Sequence, residues 1–586
     1  MTDWTWNFRA AASDRIPTRP HGLPQWQMAP RWVALLLALW CTLALNQAWW
    51  GRLSLLESEQ SLGFAQQTCV ALVLTAATYL WLMLLSWPRV RQWGWSVTVV
   101  SAAAVQYFML HYGIVMDASM LRNTLQTNPS EGWALVSSGL LVHVLLYAVV
   151  PLVLLGRCVQ FPPSAWRREA WRSALMVLVA MAVVVGGGLW LYKPMAPLVR
   201  NHTDIRYLIN PLATVTSVAN VTLKPLFKPQ RAFQHITAGA ALGSSYSANP
   251  LRAMSTHAVA GHKPPLLVLV VGETTRSDHF GLNGYPRNTT PQMEARHVIS
   301  WRKVRSCGTN TLASVPCMFS HLGKDDFEGR KFEYENLLDV LQSAGLRVDW
   351  LDNQSGCKDV CNRISHAQAD QVASKDALKQ WCKDSECLDQ LMVGLLDQRL
   401  KAVNPQGDAQ GTVLVLHAMG SHGPAYYRRS SGANKRFQPE CTTHVTSDCS
   451  RAELVNVYDN SMLETDLFVA RTIDWLQTQQ DRYEVGLMYL SDHGESLGEN
   501  GLYLHGLPYV IAPDVQKQVP WVLWPGTLLG RTKVSEPCVR SSIETPLTHD
   551  HYYHTVLGML DVRTPTYQPA LDALQGCRSA AARHAV

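Results

Sequence analysis

Charge is what this chain has least of. Asp, Glu, Lys and Arg make up 16% of its 586 residues, against about 25% in an ordinary soluble protein, while 47% are hydrophobic. A disordered or highly solvated chain is excluded. The charge that exists is unevenly placed: residues 1–193 hold 13 Lys and Arg against 7 Asp and Glu, and the remainder holds 38 of each. The net +6 therefore sits in the N-terminal third, beside 15 of the 21 tryptophans. A neutral remainder offers no electrostatic footprint for nucleic acid, and no such partner is expected. CxxC pairs, internal repeats and low-complexity tracts are also missing. No cleavable signal peptide is evident, because the first apolar run starts after thirty residues, is too long and lacks a small-residue cleavage site.

What the N-terminal third does contain is five uncharged runs. They cover 20 residues between Arg31 and Arg52, 29 between Glu59 and Arg89, 25 between Arg91 and Asp117, 25 between Glu131 and Arg157, and 20 between Arg172 and Lys193. Each can cross a hydrocarbon layer of ~30 Å as a helix. One such run could be a buried helix of a soluble protein; five in succession predict a transmembrane domain over 1–193, with helices at about 32–51, 62–88, 92–116, 133–156 and 173–192. Short cytoplasmic segments are enriched in Lys and Arg. Ten arginines (Arg9, Arg15, Arg19, Arg31, Arg89, Arg91, Arg157, Arg167, Arg168, Arg172) flank one side and two (Arg52, Arg122) the other. The N-terminus is thus expected in the cytoplasm and everything after Lys193 across the membrane.

Cysteine usage tests that sidedness separately. Cys41, Cys69 and Cys158 lie in the membrane third, and ten more lie beyond residue 300, an even number as disulfides require. Their spacing is local: Cys307 with Cys317, Cys357 with Cys361, Cys382 with Cys387, Cys441 with Cys449, and Cys538 with Cys577 left over. Such usage implies an oxidising compartment; gaps of four to ten residues do not match zinc-finger spacing, although sequence alone does not fix connectivity.

Residues 194–262 read as a connector with Pro194, Pro197, Pro211, Pro225 and Pro229. From 263 to 580 short apolar runs alternate with helical segments, which predicts an α/β domain with a central, mostly parallel sheet. Pro265–Val271, Leu346–Leu351, Thr412–His417, Val485–Leu490 and Val519–Trp524 read as buried strands. Ligand sites in such sheets gather beyond the strands' carboxyl ends, where Glu273, Lys358, His422, and Asp492 with His493 follow four of these strands. An Asp-His pair alone is more often a turn; four strand ends together suggest a zinc site with Glu273, Asp492 and His493. Thr311, between Cys307 and Cys317 at the expected start of a helix, would be a nucleophile that a metal could activate. Standing alone, that segment reads as an N-cap threonine in a disulfide-closed loop.

The motifs VGETTR (271–276), CGTNTLASVPC (307–317), GSHGP (420–424) and SDHGESLGENGLYLHG (491–506) together resemble the lipid A phosphoethanolamine transferase family, which includes the mobile colistin-resistance enzymes. The resemblance runs nearly end to end. It implies a five-helix membrane domain and a periplasmic domain of the alkaline phosphatase/sulfatase type in the bacterial inner membrane, expected as a monomer. It further implies transfer of phosphoethanolamine from phosphatidylethanolamine to a lipid A phosphate through a covalent phosphoethanolamine-threonine intermediate, with Zn2+ as cofactor. Residue by residue, Glu273, Thr311, Asp492 and His493 would form the zinc site with Thr311 as nucleophile, and His422 and His505 a second metal or phosphate site. Ser355 and Lys358 would contact substrate, as would Asn123, Thr127 and Glu131 on a periplasmic helix at about 117–131, where i, i+4, i+8 spacing lines up one face. Gln354 stands where close relatives carry a substrate-binding Asn. His549, His551 and His554 read as structural or substrate-lining.

Lowering surface negative charge would confer resistance to polymyxins and other cationic peptides. Transfer to lipopolysaccharide core heptose or to a periplasmic glucan is the nearest rival, since it changes only the acceptor. A sulfatase would need a Cys or Ser in a C/S-x-P-x-R context, and none surrounds Thr311. A phosphoglycerol transferase would also use a threonine and five spans, but five extracytoplasmic disulfide candidates fit a Gram-negative periplasm better.

Overall fold

A computed structural model describes residues 26–56, 62–126, 132–133, 135–162, 166–223, 226, 231–246, 263–383, 386–407 and 410–579. Its N-terminal third is helical: α1 (Pro30–Leu43), α2 (Gln47–Leu55), α3 (Phe64–Leu84), α4 (Arg91–Tyr112), α5 (Ala118–Gln126), α6 (Ser138–Cys158) and α7 (Trp166–Asn201). Among the described residues three stretches are long and apolar enough to cross a membrane, namely α3, α6 and Arg167–Met195 within α7, and a fourth exists if α1 and α2, bent by 44°, count as one. The expected five spans are not reached on that measure. Helix α4 is 22 residues long, but Gln92, Gly94, Gln106 and His111 interrupt its apolar run. Large apolar side chains such as Leu189 and Trp171 remain more than 70% exposed, as a lipid-facing surface requires.

The first span breaks at Ala44–Asn46, which frees backbone carbonyls where no water can reach them. Buried amides take them up: Asn46 Nδ2 donates to Cys41 O at 2.8 Å, Gln106 Nε2 to Ala44 O at 2.9 Å, and Asn210 Nδ2 to Leu45 O at 3.0 Å, while Asn210 also donates to Ala102 O within α4 at 2.7 Å. Asn46 also bonds the backbone of Asn210 through both ends of its amide. The clasp changes the picture of the expected connector. Helix α7 continues past Lys193 to Asn201, and α8 (Leu212–Thr222) packs on α5, with Ser217 Oγ donating to Met116 O at 2.9 Å. Prolines 194 and 197 do not end α7, as is common where neighbouring helices stabilise a membrane helix.

The C-terminal region is built on an eight-stranded sheet. Its strands are β1 (Pro265–Gly272), β2 (Ile299–Arg305), β3 (Arg347–Asp352), β4 (Ser365–Gln368), β5 (Thr412–His417), β6 (Glu484–Ser491), β7 (Gln518–Trp524) and β8 (Leu547–Thr548), in the order β8-β2-β7-β6-β1-β5-β3-β4. The pairs from β6 through β4 are parallel; β7 runs antiparallel to both its neighbours. Strand β1 is buried on both faces. Leu267, Leu269 and Val271 enter one apolar core and Leu266, Val268 and Val270 the other, which is why these strands read as continuous apolar runs rather than alternating ones. Helices α9 (Thr311–Met318), α10 (Arg451–Thr478) and α11 (Asp550–Met559) cover them. All five cysteine pairs suggested by spacing are bonded, and Cys41, Cys69 and Cys158 are free.

The two regions touch beside the strand ends. Tyr112 Oη donates to His444 O at 3.2 Å, Val115 packs with Leu507 and Ala512, and Met120 lies against Gly506.

Candidate active site

Strands β1 and β6 are adjacent and parallel, so Glu273 and the Asp492–His493 pair emerge side by side. All three are fully buried. Asp492 Oδ1 accepts the backbone N–H of His493 at 2.7 Å and that of Thr274 at 3.3 Å. Thr274 holds a φ of 53°, a costly conformation for a β-branched residue and one that clusters at ligand sites. The next parallel strand, β5, sends the loop 418–423 across Glu273. A Cβ on Gly420 would lie 2.7 Å from Glu273 O, so only glycine fits there. Asp389 holds this loop by accepting the N–H groups of Met419 and Gly420 at 2.8 and 2.9 Å.

Thr311 opens helix α9. The side chain of Asn310 caps that helix by accepting the Ala313 N–H at 3.0 Å, and its amide donates to Ser119 Oγ of α5 at 3.2 Å. Thr311 Oγ1 donates to Glu273 Oε2 at 3.2 Å. His493 Nε2 lies 3.3 Å from Glu273 Oε1 and 3.2 Å from Asp492 Oδ2. The Nδ1 of the same ring meets Gly494 O at 2.9 Å; a carbonyl can only accept, so Nδ1 carries the hydrogen. Burial pushes the His493 pKa down to about 4, which leaves Nε2 as a bare lone pair aimed at two carboxylates.

Converging acceptors repel one another unless a cation lies between them. Asp492 Oδ2 and His493 Nε2 are buried and take no hydrogen bond, so both lone pairs are available to a cation. Tetrahedral bonds of ~2.0–2.1 Å would separate ligand atoms by about 3.3 Å, and the three separations above are 3.2–3.3 Å. Those three pairs match the spacing of zinc ligands, and the ligand atoms of Glu273, His493 and His505 all lie within 4.8 Å of one another, so the cluster has the donor types for a zinc-sized ion.

His505 adds a second imidazole, its ring 4.3 Å from that of His493 and 5.4 Å from that of His422. Buried Glu495 holds its Nδ1 at 3.2 Å. Burial, with His505 and Arg429 nearby, holds His422 well below the usual histidine range. On the other flank Gln354 Nε2 donates to Glu273 Oε2 at 2.8 Å, Ser355 Oγ donates to Gln354 Oε1 at 2.6 Å, and Lys358 Nζ reaches Ser355 Oγ at 2.7 Å. A continuous polar chain thus runs from Lys358 to Thr311.

The structure brings Glu273, Thr311, Asp492, His493, His422 and His505 into one cluster and ties Ser355 and Lys358 to it. Asn123 stands on α5, which ends at Gln126; Thr127 and Glu131 lie outside the described residues. Of the histidines near the chain's end, His551 bonds locally and His549 reaches across the site. His549 Nδ1 accepts the Cys307 N–H at 3.1 Å and its Nε2 meets Ser491 O at 3.0 Å, so the ring spans the loops that carry Thr311 and Asp492. His551 Nδ1 accepts from Thr548 N at 3.2 Å, and His554 Nδ1 accepts from Gln568 N at 3.1 Å. Sequence reasoning missed Glu495, Asp389 and the bridging role of His549. Glu495 sits in the SDHGES motif and could have been suspected from it. The other two carry no sequence signal, since their partners lie on distant loops and are mostly backbone groups.

A family model described as phosphoethanolamine transferase EptA/EptB matches residues 74–226, and a sulfatase model matches residues 265–562. The chain is 36% identical over 519 residues to phosphoethanolamine transferase EptA of Salmonella typhimurium, covering 86% of this chain and 88% of that one. It is 35% identical over 468 residues to phosphatidylethanolamine transferase Mcr-1 of Escherichia coli, covering 79% and 82%. Among solved structures, the integral membrane lipooligosaccharide phosphoethanolamine transferase A of Neisseria meningitidis superposes with a TM-score of 0.85 at 32% identity, covering 94% of this chain and 99% of that one.

Proposed function

The chain belongs to the phosphoethanolamine transferase family of EptA and Mcr-1, and from that premise we propose that it moves phosphoethanolamine from phosphatidylethanolamine to a phosphate of lipid A by way of an ester on Thr311. The observation that carries this reading is the Thr311 hydroxyl, set at a helix start and hydrogen-bonded to Glu273 inside a buried cluster of acceptors. A free threonine hydroxyl is a weak nucleophile; its activation needs an adjacent acceptor and a local positive field.

In the first half-reaction the Thr311 proton passes to Glu273 Oε2 as the bond from Oγ1 to phosphorus forms. The bond from phosphorus to the glycerol oxygen breaks, and diacylglycerol leaves after taking a proton from His505, whose Nδ1 is held by the buried carboxylate of Glu495. In the second, an oxygen of the acceptor phosphate gives its proton to the histidine left deprotonated and attacks the same phosphorus, the bond from phosphorus to Thr311 Oγ1 breaks, and Glu273 returns the proton to Oγ1. A zinc ion held by Glu273, Thr311, Asp492 and His493 would supply Lewis acidity, lowering the proton affinity of the hydroxyl and polarising the phosphoryl group. Lys358 and the helix start at Thr311 favour the anionic phosphoryl oxygens.

Donor and acceptor are both lipids, so an inner-membrane anchor confines the search to the bilayer plane and raises their effective concentration at a periplasmic site. The N-terminus then lies in the cytoplasm, in keeping with the arginine bias, and one chain suffices for the cycle. Each transfer adds an ammonium to a lipid A phosphate and lowers its attraction for cationic peptides. Intact-mass analysis after incubation with phosphatidylethanolamine tests the first half-reaction: a phosphoethanolamine adduct mapping to Thr311 is expected, and an adduct on Thr311→Ala would refute the assignment. Cells carrying Thr311→Ala should be as polymyxin-susceptible as cells without the protein, with lipid A unmodified in mass spectra.

A further inference from the structure

A cavity of about 440 Å³ opens at the carboxyl end of β3, lined among others by Gln126 of α5, Asp352, Ser355, Lys358, Asp359 and His366. It lies at the far end of the polar chain that leads through Ser355 and Gln354 to Glu273 and Thr311. A head group reacting at Thr311 would have room to extend here. Phosphoethanolamine carries opposite charges two methylenes apart, so a site that selects it needs a cation and an anion in one cavity.

Lys358 provides the cation. Its Nζ donates to Ser355 O at 2.9 Å as well as to Ser355 Oγ, which ties it to the polar chain that leads to the nucleophile. Of the two carboxylates in the lining, Asp352 is already saturated. Its Oδ1 accepts from the backbone of Gln354 and Gly356, and its Oδ2 accepts from Trp350 Nε1 and meets His417 Nδ1, all at 2.8–3.2 Å. Asp359 is exposed and, among the described residues, receives one hydrogen bond, from Asn362 Nδ2 to Oδ1 at 2.9 Å, with Arg363 near enough to feel its charge. The backbone has been bent to put it there: Lys358 and Asp359 have φ of 50° and 71°. Two successive non-glycine residues in the left-handed region are disfavoured by sterics, and the Cys357–Cys361 disulfide closes the turn around them. This turn sets opposite charges side by side on one rim.

We propose that Asp359 receives the ammonium of the phosphoethanolamine head group while Lys358 faces its phosphate, so that the cavity selects a zwitterionic head over an anionic one. The inference rests on the donor assignment above. Full-length protein is assayed for diacylglycerol release on vesicles containing acceptor lipid and either phosphatidylethanolamine or phosphatidylglycerol as donor. Asp359→Asn removes the charge and suits the left-handed backbone; Asp359→Gly removes it along with the strain. Both variants should raise KM for phosphatidylethanolamine about three- to tenfold, as befits a partly exposed ion pair. Both should leave kcat within about twofold and erase a matching part of the preference over phosphatidylglycerol, since only binding of the head group is weakened. Wild-type KM and preference in Asp359→Asn would make Asp359 a merely solvated side chain and overturn the proposal. Failure of the wild type to release diacylglycerol from phosphatidylethanolamine is a separate result: it would refute the donor assignment, and this inference with it.

Discussion

Both regions of the molecule interrupt regular backbone at one place and fill the gap with buried polar side chains, yet to opposite ends. In the membrane third the break between α1 and α2 frees carbonyls, and the amides of Asn46, Gln106 and Asn210 spend their donors on them. What they leave over, Gln106 Oε1 and Asn210 Oδ1, are neutral acceptors. At the strand ends of the catalytic region the atoms left over are a carboxylate oxygen of Asp492 and an imidazole nitrogen of His493. An unmet neutral amide oxygen is a modest cost. An unmet carboxylate facing an imidazole lone pair is a site for a cation. The difference separates a polar cluster that holds a fold from one that serves chemistry.

Acid should sharpen the contrast most. His549 and His554 are buried in the catalytic region, and burial holds both down at about 4 against an ordinary 6.5. Between those limits the unfolded chain binds protons that the folded one refuses. The stability they support is intact above pH 6.5 and is lost as pH falls toward 4, by at most about 3 kcal/mol per ring. Thermal melts of metal-free protein should fall in that window, and His549→Gln should flatten the fall; an unchanged slope would show that His549 does not titrate as a buried ring.

A smaller effect is expected at Gln354. It touches the candidate ligand cluster through Glu273, so Gln354→Ala should cost about 10–100-fold in metal affinity or transfer rate. Gln354→Asn, one methylene shorter, should recover part of the loss if the amide still reaches Glu273. Metal titration against a chelator separates this from misfolding: wild-type affinity in Gln354→Ala would mean that the contact orients nothing. The smallest effect belongs to the membrane clasp. Asn210→Ala should destabilise the bundle by about 0.6–2 kcal/mol, read as detergent-dependent unfolding, while leaving metal affinity unchanged. A loss of metal affinity there would break the comparison and show that the clasp reaches the site.

Much of this could be read along the chain. Strand β1 is a continuous apolar run because both its faces are covered, and Glu273 follows it directly, so strand and candidate ligand were visible together. The same holds for β6 with Asp492 and His493. Strand β2 escaped notice because its sequence, ISWRKVR, mixes charged residues into an edge-side strand, and β7 gave no hint that it runs antiparallel. Prolines 194 and 197 suggested a linker where a helix continues, since proline's local preference yields to packing in a membrane bundle.

Sequence by itself determined the apolar segments, the oxidising-compartment cysteines and the chemical identity of the groups at the strand ends, because each depends on residue type and near-neighbour spacing. Only the tertiary structure decided that Gln354 bridges Glu273 to the Lys358 loop, that His549 ties the Thr311 loop to β6, that α5 touches the cap of the nucleophile helix, and that Asp359 shares a cavity with Lys358. Those contacts join residues up to 242 positions apart, and a hydrogen bond closes over such a span only after the sheet has set the separation and direction of its partners.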